Sequence, residues 1–142
     1  MKFRVFVKPF IRRKCDGFGC GNFGASRDGG NRKHMGMDVL TKQGQPVFAP
    51  FGGTIRNFKA YENDSSLDGV QIQGNTFKVK LMYVQPAREN GAKVNAGDVI
   101  GWAQSLQPKY PGISDHIHCE VWAYGKALNP DTYFPKDTIF QV

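Results

Sequence analysis

Histidine is scarce in this chain: its 142 residues include three, at positions 34, 116 and 118. Cysteine is scarce too. Three residues, Cys15, Cys20 and Cys119, cannot build a disulfide framework. No apolar run approaches the roughly 20 residues of a membrane span. Met1 to Lys14 lacks the marks of a secretory signal, since Val5-Phe6-Val7 is broken by Lys8 and Pro9 and no small-residue cleavage site follows. An intracellular location is therefore the expectation. No helix-period pattern continues beyond about two turns, and neither an internal repeat nor a low-complexity tract is found. Acid is absent from the first fourteen residues, where Lys2, Arg4, Lys8, Arg12, Arg13 and Lys14 supply six positive charges. The rest of the chain holds thirteen basic and twelve acidic residues, so the net +7 belongs mostly to this N-terminal arm. The arm is either a site for a polyanionic partner or a solvated, solubilising tail. Nucleic acid is disfavoured, because the body is charge-balanced and shows no interleaved aromatic and basic platform.

What is present points to β structure. Seventeen glycines and eight prolines, among frequent Val, Ile, Phe and Tyr, fit short strands joined by tight turns. The length suits one domain with a real core. The expected fold class is all-β and mostly antiparallel. Residues 2–7 alternate charged and apolar side chains, as a half-buried strand does. Residues 15–33 read as a Gly-rich loop. Two short strands flank the Pro50-Phe51-Gly52-Gly53 turn, and Tyr61 to Leu67 reads as a polar surface loop. Gly69–Gly74 and Phe77–Val84 read as a hairpin, Lys93–Trp102 as a further strand unit, and Tyr124-Gly125-Lys126 as a turn.

The most informative stretch is Ser114-Asp115-His116-Ile117-His118-Cys119-Glu120-Val121. In a strand, residues i and i+2 share a face, so His116 and His118 look into one space roughly 6–7 Å apart. Ile117 and Cys119 then face a core, where Cys119 serves as a small hydrophobe. Glu120 shares the face of His118 and either supports it or points outward. Upstream, His34 and Asp38 would lie about 13 Å apart on a straight strand. Gly36 between them permits the sharp bend that would bring imidazole and carboxylate together. Met35 and Met37 read as packing residues, and Trp102 and Trp122 as core or groove-wall aromatics. Cys15 and Cys20 bracket a loop that a single bridge can close, or else are two thiols in a reducing compartment.

These pieces together resemble a family. His34-x3-Asp38, Gly44-x-Pro46-Val47-x-Ala49-Pro50-x-x-Gly53, Val94-x-x-Gly97-x-x-Ile100-Gly101, His116-Ile117-His118-x-Glu120 and Gly125-x-x-x-Asn129-Pro130 occur in the order seen in lysostaphin-type (LytM-like) zinc peptidases. The resemblance spans about residues 31–134. Within that family the chain looks most similar to the leukocyte cell-derived chemotaxins, through Cys15-Asp16-x-x-Gly19-Cys20-Gly21, Gly36-Met37-Asp38-Val39-Leu40, Tyr83-x-x-Pro86 and Tyr110-Pro111-Gly112-Ile113. The resemblance implies a compact antiparallel β fold with Zn²⁺ in a groove, held by His34, Asp38 and His118. Two imidazoles and a carboxylate with an open fourth position suit that ion. It further implies that His116 is not a ligand but one of two histidines that assist catalysis in active members.

Tyr83 stands where the resemblance expects the second of those histidines, and the count agrees, because only His116 is left over. A phenol with a pKa near 10 is a poor base at neutral pH, and losing one acid/base group costs roughly 10²–10⁴-fold. The chemotaxins share this tyrosine and are regarded as lacking peptidase activity. The expectation is a non-catalytic zinc-binding domain acting as a binding or structural module, with residues 1–14 as an arm, 15–134 as the domain and 135–142 as a tail. The expected partner is a protein or glycan, either a peptide or carbohydrate in the groove or a larger assembly reached by the arm and tail. The alternative is a metallopeptidase cutting Gly-rich or peptidoglycan-type peptides, with His116 as acid/base and Tyr83 as oxyanion donor. Chemotaxins are secreted and carry three disulfides, whereas Thr41 and Lys78 stand here at two of their cysteine positions. Secretion, as in the group it resembles, is the alternative location, and these departures count against it.

Overall fold

A computed structural model describes residues 2–27 and 32–136. The elements in chain order are β1 (Ser26–Arg27), β2 (Arg32–Lys33), β3 (Met37–Leu40), β4 (Pro46–Phe48), β5 (Gly53–Tyr61), β6 (Asp64–Gln73), β7 (Lys78–Met82), β8 (Val84–Pro86), β9 (Lys93–Val94), β10 (Val99–Ala103), β11 (His116–Ala123) and β12 (Lys126–Leu128), then a 3-10 turn at Pro130–Thr132. Every ladder is antiparallel. The all-β expectation holds, and the alternating patterns explain why. Ile55, Val70, Ile72, Val79, Leu81, Ile117, Cys119 and Val121 point to one side and are buried, while the residues between them point to the other.

The principal sheet runs β12-β11-β7-β6-β5-β9. Strand β11 organises it. One edge pairs with β7, and the other is shared, β3 taking His116 to Cys119 and β12 taking Val121 to Ala123. A smaller sheet, β4-β10-β8, packs its Val47, Ile100 and Val84 into the same core.

Four expectations need correction. Residues 2–7 form no strand. Their alternation is real, but the chain bends at residues 6–9 and drops Phe3, Phe6, Val7 and Phe10 into the core, where Phe3 stacks on Tyr133 and the rings of Phe3, Phe6 and Phe10 pack against Phe134. The first fourteen residues are therefore no detached arm. Next, Tyr61 to Leu67 is not a surface loop, because β5 and β6 extend into a long hairpin that turns within two residues and buries Leu67. Residues 15–33 include the short β1–β2 ladder rather than loop alone. Finally, Met35 is 45% exposed rather than packed in the core, whereas Trp102, 40% exposed on β10, lines a surface pocket as a groove-wall aromatic does. Of the tail placed at 135–142, residues 137–142 lie outside the described residues.

Candidate metal centre

The sheet register builds the site. His118 on β11 lies directly opposite Asp38 on β3, and directly opposed residues share a face with their side chains a few ångströms apart. His34 precedes β3 and reaches the same point because the chain bends at Met35-Gly36. A side chain at Gly36 would strike the backbone carbonyl of Cys119, so the bend needs glycine for close approach rather than for backbone freedom. Three atoms converge as a result. His34 Nε2 is 2.8 Å from His118 Nδ1, and both nitrogens are 3.1 Å from Asp38 Oδ1. All three residues are at most 9% exposed.

Their outer partners fix the protons. His34 Nδ1 lies 2.9 Å from the Asn22 carbonyl, and His118 Nε2 lies 2.8 Å from Glu120 Oε2. Both partners accept only, so each ring carries its N–H outward and turns a lone pair inward. Two lone pairs and a carboxylate oxygen thus face one another in a buried space. A shared positive charge at the centre satisfies all three. Zinc–ligand distances of about 2.0–2.1 Å in a tetrahedron place ligands about 3.3 Å apart, and the observed separations of 2.8–3.1 Å fall slightly inside that value. His34, Asp38 and His118 therefore fit a divalent ion with N/O preference. Without a metal a proton takes the place. Burial opposes charge on His118, but the hydrogen bonds to Asp38 and Glu120 overcome it and raise the imidazole to about 9. Burial likewise favours protonated Asp38, yet hydrogen bonds from His118 and His34 hold its carboxyl far below the usual range.

A second layer supports the first. Arg13, 4% exposed, donates from Nη1 to Asp38 Oδ2 at 2.8 Å. It also donates to both oxygens of Asp16, at 2.6 and 3.2 Å, and to the Gly19 carbonyl. Asp16 and Gly19 sit inside the loop closed by the Cys15–Cys20 disulfide. Arg12 is paired with Asp131 at 2.7 Å. The sequence places Arg12 and Arg13 in a basic binding patch; folding commits Arg13 to the metal centre and Arg12 to an ion pair across the chain. Lys2, Arg4, Lys8 and Lys14 remain exposed. Arg13 left no sequence signal distinguishing it from the neighbouring cations. Glu120 did leave one, its parity with His118.

His116 stands two pairs along the ladder, on the same face, opposite Leu40. Its Nδ1 donates to the Ser114 carbonyl at 2.7 Å, leaving an Nε2 lone pair 3.5 Å from Asp38 Oδ2. Burial lowers its pKa, against the raising influence of Asp38, so the ring is neutral near pH 7. Tyr83 packs edge-on against it, ring centroids 5.5 Å apart. Tyr83 adopts φ 74°, a strained value for a non-glycine, at the break between β7 and β8. Its hydroxyl is 2.7 Å from that of Tyr61, which accepts from Tyr110 at 3.1 Å. Burial pushes the Tyr83 phenol up to about 12, only partly offset by the Tyr61 hydrogen bond. Together these groups line a cleft of about 520 Å³, with Phe18, Met35 and Ile113 on its walls. Sequence reading did not anticipate Tyr61, because it assigned that residue to a loop.

The profile of Peptidase family M23 matches residues 32–130. Myeloid protein 1 of Gallus gallus is 44% identical over 111 residues, covering 76% of this chain and 34% of that protein. Leukocyte cell-derived chemotaxin-2 of Bos taurus is 41% identical over 110 residues, covering 76% of this chain and 71% of that protein. The match thus spans about a third of the former relative and over two thirds of the latter. Among solved structures, the catalytic domain of a variant of the prophage-encoded M23 protein EnpA from Enterococcus faecalis superposes with a TM-score of 0.64 at 23% identity, covering 90% of this chain and 94% of that one. Lysostaphin superposes with a TM-score of 0.59 at 19% identity, covering 87% of this chain and 53% of that one. At such identities the structural likeness is one of fold. With the matched segment running from β2 to the 3-10 turn and enclosing every candidate ligand, this chain belongs to peptidase family M23.

Proposed function

We propose that the chain is a zinc-holding, non-catalytic member of its family, a binding module whose metal stabilises the fold. The observation that carries this reading is Tyr83 beside His116. With His34 and His118 turned inward to Asp38, His116 is the one imidazole left for acid/base work. The group packed against it is a phenol that stays protonated at neutral pH. A bound zinc ion would supply a Lewis acid; beside it the chain supplies one neutral imidazole and a hydrogen-bond donor, with no further imidazole among the described residues. Retained metal then acts through folding free energy, because ions that bind only the folded state stabilise it.

The reading predicts no turnover when zinc-loaded protein is incubated with pentaglycine or crosslinked cell-wall peptides. Turnover that disappears in His116→Ala would replace it with the metallopeptidase reading. One observation favours that second reading. The Tyr83 hydroxyl is positioned by Tyr61 and Tyr110 rather than left free, as an oxyanion donor would be. The partner of the module is proposed to be a peptide or glycan entering the cleft. The Cys15–Cys20 bridge supports an oxidising compartment over the reducing interior expected from the N-terminus.

A further inference from the structure

The outer face of the principal sheet continues past the metal centre, and its chemistry changes. Register defines two cross-strand rows. In one, Glu120 faces Lys80, then Gln71, then Arg56. In the next, Trp122 faces Lys78, then Gln73, then Thr54, then Lys93. These rows hold four cations and one acid. Glu120, the acid, is engaged on both oxygens, by His118 Nε2 and by Trp122 Nε1 at 2.8 Å each. None of the four cations makes an ion pair with a described carboxylate. Lys80 stands directly opposite Glu120, while Lys78, Arg56 and Lys93 have no acid opposite them, so the two rows keep an excess of positive charge that an anionic ligand would offset.

The lysines are also held in place. Lys80 Nζ lies 5.6 Å from the Trp122 ring centroid and 6.0 Å from that of Phe58, and Lys78 Nζ lies 5.9 Å from Trp122. The outer end of the Phe58 ring in turn lies against Gly69, where any side chain would collide with it. Cation–π contacts of this kind fix ammonium groups while leaving their N–H donors turned outward. Strand spacing sets the patch at about 7 Å along the strands and about 14 Å across them.

We infer that this face is a binding surface for an anionic polysaccharide, a chain of sulfated or carboxylated sugars. Charge complementarity selects a polyanion, and the surface selects among polyanions. Single-stranded nucleic acid needs open aromatic faces for base stacking, but the Trp122 and Phe58 rings are covered by lysines. A duplex is read by a helix or ribbon placed in a groove, and this is a nearly flat sheet face. Acidic peptides that add to sheets do so along an edge, whereas these residues stand on a face. The Gln71 and Gln73 amides between the cations offer both donors and acceptors, the pairing that sugar hydroxyls use. The inference does not depend on whether the adjacent metal centre is catalytic.

The test is calorimetric binding of a heparin-type oligosaccharide of defined length to the full chain at two or more salt concentrations. Binding should weaken as salt rises. The Lys78→Gln/Lys80→Gln double variant should lose at least about tenfold in affinity and show a salt slope shallower by about 2, one per lost contact. Its circular dichroism and zinc content should match the parent. Lys8→Gln/Lys14→Gln, which removes two exposed lysines elsewhere, should bind like the parent. Equal loss in both double variants, or none in the first, overturns the assignment. So does equal binding of a charge-matched oligonucleotide or polyglutamate, which would give the face to nucleic acid or to an acidic protein.

Discussion

Strand β11 has two faces, and they obey different rules. Ile117, Cys119 and Val121 point inward, are fully buried and pair with apolar residues such as Met37, Val39 and Leu81. His116, His118, Glu120 and Trp122 point outward and are held by named polar partners. The inward face is stabilised by area removed from water, which tolerates shape changes at a graded cost. The outward face near Asp38 buries charge, and buried charge is stable only while each group keeps its partner. The same eight residues therefore serve as core and as site because the pleat separates the two.

The largest expected difference between the faces comes from Arg13. Arg13→Ala leaves Asp38 buried without its Oδ2 donor and should cost about 3–5 kcal/mol, the range for breaking one side of a buried pair. Chemical denaturation of parent and variant measures the loss, and an unchanged midpoint would contradict the pairing. On the inward face, Ile117→Ala should cost about 2–5 kcal/mol, and the loss should be the same with and without zinc. A loss that changes with zinc would show the two faces to be coupled. Glu120→Gln tests the outer face more gently. It removes the carboxylate charge that holds His118 Nε2–H, so it should weaken zinc binding about 10–100-fold and, in the metal-free protein, lower the His118 pKa from about 9.

The smallest effect is one of pH. Burial by itself would raise the Asp16 pKa, but the Arg13 hydrogen bond and two backbone amides hold it well below its ordinary 3.8. Because the folded value is the lower one, Asp16 stabilises the protein above about pH 4 and loses that contribution as pH falls further. Denaturation midpoints of Asp16→Asn should be lower than the parent's at pH 7 and converge with them toward pH 2. A constant gap would contradict the assignment.

Much of this was legible in the sequence, for reasons that differ by residue. His116 and His118 were placed on one face by parity alone, and Gly36 marked the bend, since both signals are local. The alternation of β5, β6, β7 and β11 likewise gave the all-β class. Residues 2–14 were not legible. Their basic charges look alike in sequence, but Arg13 enters the site because Asp38 recruits it across 25 positions, and their aromatics are core because Phe134 returns to meet them. Tyr61 was missed for a related reason. Acidic and serine residues between Tyr61 and Leu67 resemble loop composition, yet cross-strand pairing with β5 carries them as the end of a hairpin.

The account turns on three inward lone pairs that only a cation can satisfy. The direct test is zinc titration of chelator-stripped protein by calorimetry, with His118→Ala as comparison. One zinc per chain in the parent, with proton release, and none at that affinity in the variant is the predicted result. A parent that binds no zinc, or a variant that binds it as well as the parent, would contradict the assignment of His34, Asp38 and His118 as the metal centre.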